Sequence, residues 1–230
     1  MLLTIVMACI SLFTSLWDRS GAAQHRVARA WSKLLLALGF IQTKVVGLDK
    51  LDLTKSYVLV SNHASYMDTP AVLSSIPLDF RFFAKKGLFS IPFLGWHLER
   101  AGHLPVVKDD PRGQLRSLNE GARLIQERGI SVLLFPEGGR AEEAMQPFKE
   151  GAAYLAIKAG VPVVPIGLRD TRKALPMHSA VIEPCTVQLH IGDPVPTAHL
   201  KPSDRGALND LLFERVRELA GEAPAPAPIQ

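Results

Sequence analysis

The chain opens on an unbroken apolar stretch. Residues 1–17 (MLLTIVMACISLFTSLW) contain no ionisable side chain, and the first charges are Asp18 and Arg19. At ~1.5 Å per residue a helix over these positions reaches about 25 Å, slightly short of a ~30 Å hydrocarbon core. The segment is therefore expected to span a thinned bilayer or to lie partly embedded. A cleaved signal peptide is the competing reading, but no Lys or Arg precedes the apolar run and no clear small-x-small cleavage site follows it. The next stretch, residues 24–40 (QHRVARAWSKLLLALGF), sets Arg26, Arg29 and Lys33 among Val27, Ala30, Trp31, Leu34, Leu35 and Leu38. This near-helical spacing predicts an amphipathic helix at a lipid interface, the alternative being a helix packed on the protein's own core. Because the cations follow the first apolar segment, the rest of the chain is expected on the cytoplasmic face of the cell inner membrane.

From residue 45 short apolar runs alternate with helical stretches, as in an α/β protein. Strands are predicted near residues 44–47, 57–61, 81–84, 131–135, 163–167 and 187–191. Asp110 followed by Pro111 is a cap and first-turn pair for a helix that runs through Leu115, Leu118, Ala122 and Ile125 to a stop at Gly129. A last amphipathic helix is predicted over residues 204–220. The expected organisation is membrane-associated helices over residues 1–42, an α/β domain over 43–221 and an extended Pro/Ala tail over 222–230.

Composition narrows the partners. A length of 230 residues, 47% of them hydrophobic and 21% charged, gives one domain with an ordinary core. The formal charge of +4 is spread along the chain without an aromatic ladder, which argues against a nucleic-acid partner and for a membrane surface or a phosphorylated substrate. Cys9 and Cys185 have no metal or disulfide spacing and read as buried thiols; no metal is expected.

There is no GxSxG elbow, GxGxxG fingerprint, Walker loop or HExxH helix. What remains is a general base with anion-binding groups. In SNHASYMD, residues 61–68, His63 and Asp68 stand five positions apart, just past a predicted strand and just before a helix that should begin near Thr69 and Pro70. Ligands of α/β proteins bind at the carboxyl ends of strands, and a turn there brings a carboxylate against an imidazole. Asp68 would then fix the ring tautomer while the other ring nitrogen takes a proton. A structural hydrogen bond or an N-cap accounts for the same spacing. The chain carries its own control: His199 and Asp204 are also five apart, but no apolar strand delivers them and Asp204 reads as a first-turn residue.

Read together, several segments resemble the glycerolipid acyltransferase family that includes the lysophosphatidic acid acyltransferases. Asn62, His63, Ser65 and Asp68 match its NHxSxxD block. Residues 135–140 (FPEGGR) stand against FPEGTR, and Val161, Pro162 and Pro165 form a VPxxP strand preceded by a Lys-x-Gly element at Lys149 and Gly151. Lys85, Leu88, Pro92, Gly95, Gly102 and Lys108 resemble a further block, with Gly87, Lys108 and Gly139 departing from the usual Glu, Arg and Thr. The resemblance implies an α/β fold with a mixed central β-sheet flanked by helices, and an O-acyltransferase with His63 and Asp68 as catalytic pair. It implies that the acyl group moves from acyl-CoA or acyl carrier protein, as co-substrate and without a cofactor, to the hydroxyl of 1-acylglycerol 3-phosphate. No activated Ser or Cys is apparent, so direct transfer is expected, with Ser65 in a supporting role. Arg140 is expected to bind the acceptor phosphate, with Lys85 and Lys108 as secondary cations. Glu137 is expected to hold Arg140, a backbone turn or a glycerol hydroxyl, and Gly138 to permit close approach. The three departures keep other acceptors open, such as lyso-ornithine lipid or glycerol 3-phosphate, and so does a non-catalytic lipid-binding role. Phe89, Ile91, Phe93, Leu94 and Trp96 would line an acyl groove or pack in the core.

Overall fold

The structure, a computed structural model, describes residues 2–107, 110–140, 143–179 and 181–222. Two helices come first, α1 (Leu2–Thr14) and α2 (Ala22–Leu38), and then β1 (Gln42–Val46), β2 (Val58–Ser61), α3 (Asp68–Ser75), β3 (Phe80–Lys85), α4 (Leu94–Arg100), β4 (Leu104–Val106), α5 (Pro111–Arg128), β5 (Ser131–Leu134), α6 (Gly151–Ala159), β6 (Val163–Arg169), α7 (Thr171–Ala174), β7 (Thr186–Ile191) and α8 (Arg205–Ala220). The strands form one seven-stranded sheet in the order β1-β7-β6-β2-β5-β3-β4. Every neighbouring pair is parallel except β6 with β7, so the sheet is mixed.

The central strands read as continuous apolar runs because helices cover both faces. Leu59, Leu133, Val164 and Ile166 point to a core closed by α3 and the buried part of α2. Val58, Val60, Val132 and Leu134 alternate to the other face, against α5, α6 and α8. Each such side chain, fully buried, stabilises the fold by about 1.5–3 kcal/mol. The expected α5 is present, with Asp110 accepting the Gly113 N–H at 2.9 Å and Gly129 ending it at φ 62°. The six predicted strands are found, and β4 is an addition; at three residues it is too short to show a period.

The N-terminal region bears on whether residues 1–17 span a thinned bilayer or lie partly embedded. α1 is 13 residues long, roughly 20 Å, and among the described residues no helix is long and apolar enough to cross a membrane. The Thr14 and Ser15 hydroxyls donate to the carbonyls of Ser11 and Leu12 as the chain leaves the helix. α1 packs on α2 and α4, and α2 packs on α3. The side of α2 buried against the domain is not its apolar stripe: Gln24, His25, Ala28, Ser32 and Leu36 face inward, whereas Leu34 and Leu38 face solvent. The reading of both cysteines as buried is corrected. Cys9 lies on the outward side of α1 and is exposed, and Cys185 is half-buried. Residues 223–230 of the expected tail lie outside the described residues.

Candidate active site

The carboxyl ends of β2, β3, β5 and β6 share one edge of the sheet, and the segment 62–68 turns over it between β2 and α3. Asn62 fixes the start of the turn. Its amide donates to the Leu168 carbonyl at 3.0 Å and accepts the Leu168 N–H at 2.8 Å, pinning the end of β2 to β6. Ser65 shapes the middle, donating to the Leu175 carbonyl at 2.9 Å and accepting the Met67 N–H at 3.2 Å, an ST-type turn.

Asp68, on the first turn of α3, is fully buried and receives three donors on one oxygen. Oδ2 lies 2.7 Å from His63 Nδ1 and accepts the N–H groups of Ala64 at 2.7 Å and Ser65 at 2.8 Å. A carboxylate so held fixes the imidazole with Nδ1 protonated and Nε2 free to accept. The His63 side chain is 15% exposed, and its ring stacks on Phe135 with centroids 4.1 Å apart. The ring thus has one face covered, one nitrogen anchored and one nitrogen open.

Glu137 belongs to the same framework, in a different way from an arginine clamp. Its Oε1 accepts the His63 N–H at 2.6 Å and its Oε2 accepts the Gln146 N–H at 2.7 Å. Of the three roles expected for Glu137, the backbone one is what the geometry contains. Burial pushes its carboxyl up to about 7, opposed by those two N–H groups and assisted by the nearby charges of Asp68 and Glu222. Gly138 follows at φ 76°, the left-handed region that favours glycine. A Cβ at 138 would come 2.8 Å from Lys149 Nζ, so the lysine lies across this glycine.

Arg140 sits beyond the turn with its guanidinium carbon 3.7 Å from the centroid of the Tyr66 ring. Among the described residues no carboxylate pairs with it, and its Nε is buried without a partner. Lys85 ends β3, two strands from β2 and so roughly 10 Å along the edge, exposed and apart from the pair. Lys108 lies outside the described residues. A Cβ at Gly87 or Gly139 would meet nothing within 4 Å, so neither departure is imposed by crowding. Ile91, Phe93 and Trp96 are exposed rather than packed in a core. A cleft of about 560 Å³ lies on the β6 side of the turn, beside Asn62 and Ala64. His63 does not line it, and its Arg172 and Lys173 are matched by Glu222 and Asp170.

Two partners were not assigned from the sequence: Phe135 as the surface under the imidazole and Tyr66 as the surface under Arg140. The aromatic residues themselves were the only signal, since each contact joins segments about 70 residues apart.

A buried carboxylate, an anchored imidazole with an open nitrogen, and cations with no carboxylate partner among the described residues, all at one sheet edge, are an arrangement that can serve general-base chemistry on an anionic substrate. The Acyltransferase family profile matches residues 42–169, and the chain belongs to the acyltransferase family. It is 35% identical over 224 residues to the chloroplastic 1-acyl-sn-glycerol-3-phosphate acyltransferase BAT2 of Brassica napus, covering 96% of this chain and 62% of that one. It is 35% identical over 202 residues to the chloroplastic 1-acyl-sn-glycerol-3-phosphate acyltransferase LPAT1 of Arabidopsis thaliana, covering 86% and 53%. The chain thus spans between about half and three-fifths of the length of these relatives. The crystal structure of the 1-acyl-sn-glycerophosphate acyltransferase PlsC from Thermotoga maritima shares the fold, with a TM-score of 0.78 at 24% identity over 99% of this chain and 98% of that chain.

Proposed function

We propose that the protein transfers a fatty acyl group from acyl-CoA or acyl carrier protein to the free hydroxyl of 1-acylglycerol 3-phosphate, giving phosphatidic acid. The observation that carries this reading is the His63–Asp68 pair, set at the sheet edge in a turn whose Tyr66 lies under Arg140, an arginine with no carboxylate partner among the described residues. The names of the plant relatives supply the acceptor. His63 Nε2 takes the proton of the acceptor hydroxyl as its oxygen attacks the thioester carbonyl, and Asp68 stabilises the resulting imidazolium. Collapse of the tetrahedral adduct expels the thiolate, which takes that proton back from His63. The products are an ester and a free thiol, with no acyl-enzyme between. Arg140 holds the acceptor phosphate.

The lipid reaches this site from a membrane surface, which we place at the cytoplasmic face of the inner membrane. Supporting this, Leu2, Ile5, Phe13, Leu16 and Trp17 from the first helix and its exit, and Leu34, Leu38 and Phe40 around the end of α2, all stand exposed. Leu12, Leu16 and Trp96, together with Ser15, Glu99 and Arg100, line a cleft of about 370 Å³ between α1 and α4. Such a surface docks on lipid without spanning it.

The deciding experiment is thiol release from palmitoyl-CoA and palmitoyl-acyl carrier protein across a panel of lyso-lipid acceptors, wild type against His63→Ala. Release with 1-acylglycerol 3-phosphate that the substitution abolishes is the expected result. Release with another acceptor alone moves the substrate, and silence with both donors overturns the reading. Binding to vesicles that survives high salt, and is lost when Phe13, Leu16 and Trp17 become Ser, is expected of an apolar dock.

A further inference from the structure

The turn 136–140 raises a question of charge. The acceptor phosphate assigned above carries more than one negative charge at neutral pH, and one arginine matches it only in part. Glu137, the acid of the turn, is directed away from it and committed to two backbone N–H groups. What the turn presents outward is therefore governed by the cations around it.

There are two. Arg140 lies over Tyr66, which covers one face of the guanidinium and leaves its in-plane N–H groups unclaimed by any carboxylate among the described residues. Lys149 comes from the segment that closes back on the turn: its N–H donates to the Pro136 carbonyl at 3.0 Å, and its side chain runs across Gly138 with Nζ foremost. Lys149 is exposed and, like the half-buried Arg140, is in no ion pair among the described residues, in contrast to its neighbour Glu150, which pairs with Arg205 at 2.6 Å. Residues 138 and 140 are two positions apart, so their Cα atoms are within about 7 Å. Both cations thus flank one short turn whose preceding residues, Phe135 and Glu137, touch His63 directly.

Resting on the acyltransferase reading, we propose that Lys149 is the second cation of the acceptor-phosphate site. In this cradle Lys149 supplies a point charge across Gly138, Arg140 supplies the planar fork, and Tyr66 is a positioning residue that holds the fork's orientation. Gly138 is then required for a second reason besides its φ: any side chain there displaces Nζ.

The test is steady-state kinetics on the full chain with 1-acylglycerol 3-phosphate as acceptor and palmitoyl-CoA or palmitoyl-acyl carrier protein as donor, whichever wild type uses. Lys149→Ala should raise the acceptor KM about tenfold or more while the donor KM stays put, and Lys149→Arg should recover most of the loss. Glycerol 3-phosphate, a probe with the phosphate and no acyl chain, should inhibit wild type competitively against the acceptor and inhibit Lys149→Ala at least about tenfold less well. Tyr66→Ala should raise the acceptor KM, and Tyr66→Trp should restore it. An acceptor KM unchanged in Lys149→Ala, or a fall in kcat alone with glycerol 3-phosphate inhibition intact, overturns the proposal. Wild type that does not acylate 1-acylglycerol 3-phosphate overturns the underlying reading instead, a failure seen before any variant is made.

Discussion

Two segments of this chain carry a histidine and an aspartate five positions apart, and the fold treats them in opposite ways. His63 stands just past a buried strand, Asp68 opens a buried helix, and the two meet at 2.7 Å with two backbone N–H groups on the same carboxylate oxygen. His199 is exposed in a loop; Asp204 instead accepts the Lys201 N–H at 2.7 Å and the Ser203 hydroxyl at 3.2 Å, and no bond joins it to His199. The spacing is the same, so the difference comes from delivery. A strand end and a helix start fix both groups against a packed floor, whereas a Pro-flanked loop leaves its histidine in water. A histidine–carboxylate motif thus becomes chemistry only where the backbone between the two is itself tied down.

The largest expected effect follows directly. His63→Ala should lower kcat by about 10²–10⁴-fold, the range of a lost general base, with the protein still folded. Asp68→Asn should lower kcat too and also reduce stability, because an amide cannot reproduce a carboxylate that serves three donors. His199→Ala should leave both quantities at wild-type values in the same thiol-release and thermal-melt measurements. A substantial loss of activity in the His199 variant would break the comparison.

A third group of histidines sharpens it on pH. His25, His97 and His103 lie at the seam where α1 and α2 meet the domain. His25 Nε2 is 3.1 Å from the Leu78 carbonyl, Ser11 Oγ on α1 is 2.6 Å from His97 Nδ1, and His103 Nδ1 accepts the Phe82 N–H at 2.9 Å. None has a carboxylate as close as Asp68 is to His63; the nearest for His25 is Asp79 at 3.9 Å. Burial pushes His25 and His97 down to about 4 and holds His103 well below the ordinary range. The unfolded chain therefore takes up protons near pH 6.5 that the folded seam refuses. Stability is fully present above pH 6.5 and is lost as pH falls toward 4, at up to about 1.4 kcal/mol per pH unit for each histidine. Thermal melts should show this slope, and replacing His97 with Gln, which keeps a polar partner for Ser11, should flatten it.

Glu137 pulls the other way. Its carboxyl is raised in the folded state, so its ionisation is disfavoured there, and this contribution to stability is present at low pH and lost as pH rises through about 7. Glu137→Gln should remove that dependence. It should also leave either the His63 N–H or the Gln146 N–H without an acceptor, at a cost of about 1–3 kcal/mol. If the unmatched group is at His63, kcat falls roughly tenfold for each 1.4 kcal/mol that reaches the transition state. A variant with wild-type melting and wild-type pH slope would remove Glu137 from the framework.

How far these features were legible in the sequence depends on the distance each one spans. β2, β5 and β6 announce themselves because burial on both faces makes nearly all their residues apolar, and α5 because Asp110 and Gly129 mark its ends locally. The His63–Asp68 pair is legible for the same reason, since both partners sit within one turn. Glu137 is not: whether it turns toward Arg140 or toward the backbone is decided by the His63 N–H, 74 positions earlier. The stack of Arg140 on Tyr66 spans the same distance. α2 misleads for a subtler reason. Its buried face carries Gln24, His25 and Ser32, with His25 and Ser32 bonded to backbone carbonyls, so the polarity of a position there says nothing about its exposure.

The smallest effect tests the other member of the opening comparison. Asp204 accepts the Lys201 N–H at the start of the short 3-10 turn Pro202–Asp204 that leads into α8, so its carboxylate has a local structural use. Asp204→Ala should cost about 0.5–2 kcal/mol, the usual worth of a side chain that satisfies a free N–H at a helix start, and should leave kcat and both substrate KM values unchanged. Asp204→Asn retains an oxygen acceptor and should restore most of the lost stability. The same Asp→Asn change at position 68 should not be rescued in this way if, as the proposed mechanism requires, the negative charge itself stabilises a protonated His63. A stability loss that Asn repairs at 204, against an activity loss that Asn does not repair at 68, separates a carboxylate used as a hydrogen-bond acceptor from one used as a charge.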